Sequence, residues 1–120
     1  MSLNELRDRA FKIAEDHGFH ENWDFARALM LTVSELAEAL EADRNKRWGY
    51  LINGEPVSQV YTPENVDYAE CVKGTVQEEI ADAIIRICDL AGVYGIDLDW
   101  HIKAKIIYNE KRPYKHGKKY

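Results

Sequence analysis

Between Thr75 and Gly95 the chain leaves a helix little freedom. Ile80, Ala81, Ala83, Ile84, Ile85, Ile87, Cys88, Leu90 and Ala91 occupy almost every direction around the axis. The charged residues Glu79, Asp82, Arg86 and Asp89 fall on one narrow stripe, at spacings of three, four and three. A solvated helix shows a broad polar face, so this one predicts burial on several sides, its thin stripe turned toward a partner or a cavity. Charges in such a place need compensation. Thr75 with Glu78 gives a capping box at the start, and Gly95 a stop.

Three further helices are expected. The first runs from about Leu3 to His17, opened by a Ser2–Glu5 capping box and stopped at Gly18, with Leu6, Ala10, Phe11 and Ala14 as its apolar stripe. The second runs from about Asp24 to Arg44 and is nearly all apolar over 28–33, which again predicts burial on several sides. The last is capped by Asp97, buries Ile102, Ile106 and Ile107, and ends before Pro113. The stretch from Trp48 to Gly74 breaks this pattern. Asn53-Gly54 signals a turn whose flanks, Tyr50–Ile52 and Val57–Tyr61, predict a short hairpin, and Thr62-Pro63 opens a short helical turn. The expected fold is all-α, a four-helix bundle within one domain spanning 1–120, with an irregular insertion between helices two and three.

The acidic residues of helices two and three carry the chemistry. Glu35 and Glu38, and Glu79 and Asp82, are i,i+3 pairs, each presenting two carboxylates on one face roughly 5–6 Å apart at Cβ. If the helices pack face to face, four acids meet, raise one another's pKa and destabilise the fold. Arg86 compensates one or two of them as an ion pair in the structural reading. It does not readily neutralise all four, with Glu41 and Glu78 adding charge nearby. A hard divalent cation does, and Mg²⁺ favours carboxylate oxygens and bridges to substrate phosphates. A di-iron site would need Glu-x-x-His, and no histidine here has a glutamate three positions earlier. All-oxygen ligation points to Mg²⁺, with Mn²⁺ as substitute.

Bulk properties exclude other classes. The net charge of −5 argues against general nucleic-acid binding, and no apolar run is long enough for a membrane span. Two cysteines without a CxxC or Cys/His cluster argue against zinc, and a cytoplasmic setting is expected. The end of the chain, from Lys111 on, is basic and suited to a local anion.

With these residues in view, the chain resembles the MazG-like all-α nucleoside triphosphate pyrophosphohydrolases. The family pattern is ExxE followed by ExxD. Here VSELAEALE supplies Glu35 and Glu38, and EEIADAIIRICDL supplies Glu79 and Asp82. The likeness continues through YGIDLDW and KIIYNEKRPYKHGKKY. It implies that Glu35, Glu38, Glu79 and Asp82 hold Mg²⁺ and that Lys105 and Asn109 meet substrate phosphates from the last helix. Arg112, Tyr114 and Lys115 are further candidates for phosphate or nucleotide. The gap between the acidic motifs is longer than in compact members, the excess being the 48–74 insertion, expected to cover the base or mediate oligomer contacts.

The implied reaction is hydrolysis of a nucleoside triphosphate to monophosphate and pyrophosphate. Lys105 adds a point charge where negative charge develops. Glu38 or Glu41 takes the water's proton. Phe19, Trp23 and Trp48 are candidates to stack on a base, with core packing as the competing role. Helix three buries more sides than one subunit can cover, so a homodimer or homotetramer is expected. Three other readings stay open: phosphoribosyl-ATP hydrolysis, a non-catalytic oligomeric module whose carboxylates pair with Arg86 and Lys105, and a partner protein that senses nucleotides without turning them over.

Overall fold

Side-chain caps fix the helix starts in the computed structural model, which describes residues 1–113. Helix α1 (Leu3–Asp16) opens on a capping box: Ser2 Oγ accepts from the Glu5 N–H at 3.0 Å, and Glu5 accepts from the Ser2 N–H. Helix α2 (Phe25–Arg44) is capped by Asp24, which accepts from the Arg27 N–H. Two single-turn helices follow, α3 (Val57–Val60) and α4 (Tyr68–Cys71). Helix α5 (Val76–Val93) starts where Thr75 Oγ1 accepts from the Glu78 N–H at 3.2 Å. The Glu78 carboxylate reaches past Thr75 to the Gly74 N–H at 2.8 Å. Helix α6 (Leu98–Glu110) is capped by Asp97. The four long helices fall where the periodicity places them, and none is long and apolar enough to cross a membrane.

The expected hairpin is absent. Its turn forms, with the Gly54 N–H donating to the Leu51 carbonyl at 2.8 Å and Gly54 at φ +88°, but the flanks meet in a single bridge, Tyr50 to Pro56. Pro56 brings no N–H to a ladder. Val57–Val60 then winds into α3, closed by the Tyr61 N–H on the Val57 carbonyl at 3.0 Å, so the second strand has no residues left. Thr62-Pro63 opens a single helical turn, the Asn65 and Val66 N–H groups both donating to the Thr62 carbonyl at 3.1 Å, and another follows at α4.

The chain divides into two compact units. One combines Met1–Phe19 with the residues from Cys88 on. Here α1 and α6 exchange caps. Asp99 accepts from the Leu3 and Asn4 N–H groups at 3.0 and 3.2 Å, while Asn4 Oδ1 accepts from the Leu98 N–H and its Nδ2 donates to Asp97, both at 2.9 Å. Ala10, Ala14, Cys88 and Ala91 are buried. Gly92 lies so near Phe11 that a Cβ there would sit 2.8 Å from the Phe11 Cβ.

The other unit, His20–Ile87, holds α2, α3, α4 and the greater part of α5. Backbone bonds tie the insertion to the start of α5: Val76 N–H to the Arg47 carbonyl at 2.9 Å, and Gly49 N–H to Gln77 Oε1 at 2.8 Å. Its buried positions are Thr32, Glu35, Ala42, Gly49, Val57, Thr75, Val76 and Ala83. Burial of α2 and α5 on several sides does not hold for the single chain. Leu29, Val33, Leu36 and Leu40, spaced four, three and four along α2, are each about half exposed, and so are Ile80, Ile84 and Ile87 on α5.

Candidate metal centre

Two helices of the second unit deliver the acidic residues. Glu35 comes from the middle of α2 and is buried; Glu79 and Asp82 come from the first turns of α5. One carboxylate oxygen from each of the three lies within 4.8 Å of the other two. The i,i+3 spacing achieves this on α5, and the Glu35 side chain reaches the pair from α2. Arg86, one turn beyond Asp82, donates its Nε–H to Glu35 Oε1 at 2.7 Å.

The electrostatics show how far that arginine compensates the group. Burial raises the Glu35 pKa, but Arg86 and the neighbouring Glu38 and Glu79 side chains outweigh it, so the net shift is downward. Glu79 moves the other way. Burial first, then the Glu38 and Glu35 carboxylates, push it up to about 7. Asp82 is also raised, by burial and then by Glu35 and Glu78. Oε2 of Glu79 is buried with no hydrogen-bond partner. A buried carboxylate oxygen without a donor is costly, and an all-oxygen set around it suits a hard cation.

The other expected site residues lie as follows. Glu38 is exposed and stands outside the set of three, although its side chain bonds to Glu35 and its charge acts on Glu79. Glu41 is engaged along its own helix, with Arg44 at 3.6 Å and Asn45 at 3.3 Å. Trp48 donates Nε1–H to Asp43 at 3.0 Å and stacks on Tyr50; Trp23 meets His20 edge-on. Phe19, in the first unit, is exposed and stacks on His17. Lys105, Asn109 and Arg112 also belong to the first unit, grouped about Tyr108: Lys105 Nζ is 5.0 Å and Arg112 Cζ 5.5 Å from its ring centre. Tyr114 and Lys115 lie outside the described residues.

Sequence reasoning missed Tyr68. Its hydroxyl donates to Glu78 Oε2, and this bond, then burial, then the charges of Glu78, Asp82 and Glu79, push its pKa up to about 12. The only signal was Glu78 itself, i,i+4 from Asp82; nothing in the aperiodic insertion singled out Tyr68 as its partner. Tyr68 also borders an open cavity of about 390 Å³ lined by the insertion and the start of α5. Compared with protein-family models, with curated proteins and with solved structures, the chain matches none.

Proposed function

We propose that the protein hydrolyses a nucleoside triphosphate to the monophosphate and pyrophosphate, dependent on Mg²⁺ or Mn²⁺. The observation that carries this reading is the meeting of Glu35, Glu79 and Asp82 within 4.8 Å around a buried Glu79 oxygen that has no donor. These three would hold the cation, with Glu38 at their margin. A cation held there would supply charge neutralisation for the phosphates and would make an attacking water easier to deprotonate. Glu38 is the favoured proton acceptor, since its side chain reaches both Glu35 and Glu79, whereas Glu41 is occupied by Arg44 and Asn45. Lys105, Asn109 and Arg112 remain proposed phosphate contacts on the sequence pattern alone. A cytoplasmic setting is part of the proposal, supported by two free cysteines among the described residues.

A homo-oligomer is part of the proposal. The stripes Leu29–Val33–Leu36–Leu40 and Ile80–Ile84–Ile87 have the spacing of helix seams and are half exposed, which supports a second copy as their cover.

The Arg86–Glu35 pair favours one competing reading, a non-catalytic module in which the acids are structural. Pyrophosphate release from a panel of canonical and modified nucleotides and phosphoribosyl-ATP, with Mg²⁺ and with EDTA, decides between them. Metal-dependent release with matching monophosphate is expected. No release from any compound sinks the hydrolase and leaves the non-catalytic readings.

A further inference from the structure

We infer that the cavity of the 48–74 insertion seats the base of the nucleotide, an inference that rests on the proposed reaction. At about 390 Å³ the cavity falls in the size range of small-molecule sites. Its walls are mainly apolar, and three of its lining residues, Tyr50, Tyr61 and Tyr68, offer flat aromatic faces. Such faces suit a planar ring, whatever its identity.

One polar wall residue adds a demand on the ring's edge. The Gln77 side-chain carbonyl accepts from the Gly49 N–H at 2.8 Å, and its NH₂ group makes no hydrogen bond among the described residues. The amide therefore offers donors to an acceptor-bearing ring. A purely aliphatic ligand would leave them unused.

Position supplies the second half of the argument. The cavity and the acidic group both draw on the start of α5. Thr75 and Gln77 line the cavity, while Glu79 and Asp82 carry the carboxylates. Tyr68 links the two by its hydroxyl bond to Glu78, which shares a helix face with Asp82. A ligand with a flat ring in the cavity and anionic groups at a cation held by the carboxylates has the chemistry of a nucleotide.

Cys71 provides the test. It lines the cavity, and Cys88 is buried, so a thiol reagent reads Cys71; Cys71→Ser confirms the assignment. Labelling is followed on the full chain with free nucleosides without metal, and with inorganic triphosphate plus Mg²⁺. At ten times its dissociation constant, an accepted nucleoside should slow labelling about tenfold; inorganic triphosphate should not. Val66→Trp fills the cavity, and Ser58→Trp crowds it from an exposed position if the first variant does not fold. Either should remove protection and flatten the ranking of bases in turnover, while Mn²⁺ binding stays unchanged. Turnover with no protection by any nucleoside and an unaltered ranking in the folded variants overturns the inference alone. Protection by a nucleoside with no pyrophosphate release upholds the cavity and overturns the hydrolase.

Discussion

Arg86 and Glu35 form the one cation–carboxylate pair of the acidic group among the described residues, with Nε 2.7 Å from Oε1. The bond divides the carboxylates into a settled one and two strained ones. Glu35 titrates below the usual range, whereas Glu79 and Asp82 titrate above it. An acidic group with its own arginine on one carboxylate is less repulsive than a bare one and still short of positive charge.

The hydrolase reading makes Glu79→Gln and Asp82→Ala the decisive activity variants. Each should lower turnover by about a hundredfold or more, the scale of losing a group that manages transition-state charge. Both should stay folded by circular dichroism. Wild-type rates in both would falsify the metal site.

Stability without metal should fall as pH rises from about 4.5 to about 7. The Glu79 carboxyl binds its proton more tightly in the folded state, so its contribution is full below the unfolded pKa and is lost as pH climbs through about 7. Asp82 acts in the same direction. The Glu35 contribution has the opposite sign and is lost toward acid. Mg²⁺ should raise Tm more at pH 8 than at pH 5, because it binds deprotonated carboxylates. Glu79→Gln should flatten the metal-free slope, and an unchanged slope would count against the assignment.

Arg86→Met strands Glu35, whose side chain is 10% exposed. A loss of about 1–2 kcal/mol is expected, below the about 3–5 kcal/mol of breaking a fully buried pair, because 43% of the Arg86 side chain remains exposed. Urea unfolding in EDTA measures it, and added Mg²⁺ should recover part of the loss. Recovery equal to the wild-type metal response would mean that arginine and cation act independently.

Gly92→Ala should reverse the usual sign. Alanine gains about 0.5–1 kcal/mol over glycine within a helix. Here the new Cβ would meet the Phe11 Cβ at 2.8 Å, and overpacking of this kind costs about 1–3 kcal/mol. The melt should move down; an upward move would show that α1 gives way.

Leu36→Glu places a charge in the centre of the exposed α2 stripe. Light scattering should find an oligomer for the wild-type chain and a monomer for the variant. A wild-type monomer at micromolar concentration removes the assembly from the proposal.

The long helices were legible because caps and periodicity agree: Ser2, Asp24, Thr75 and Asp97 each cap where the spacing requires. The meeting of Glu35 with Glu79 and Asp82 was legible from two i,i+3 pairs and a thin polar stripe. The insertion was not. Val57–Val60 has strand-like residues, and only the local bonds after Pro56 make it helical. The Tyr68–Glu78 bond joins an aperiodic segment to a helix, a tertiary choice that no local pattern encodes. Half-exposed leucines and isoleucines were read as buried because composition cannot say which molecule covers them.

The turn at Asn53-Gly54 stands clear of everything else: Ile52 is fully exposed, and nothing lies within 4 Å of where a Gly54 side chain would begin. Such a tip tolerates a break in the chain. It also falls between the Glu35–Glu38 motif and the Glu79–Asp82 motif. Two fragments parted there would carry Glu35 on one and Glu79 with Asp82 on the other, and recovery of the Arg86–Glu35 bond would count how many had found each other again.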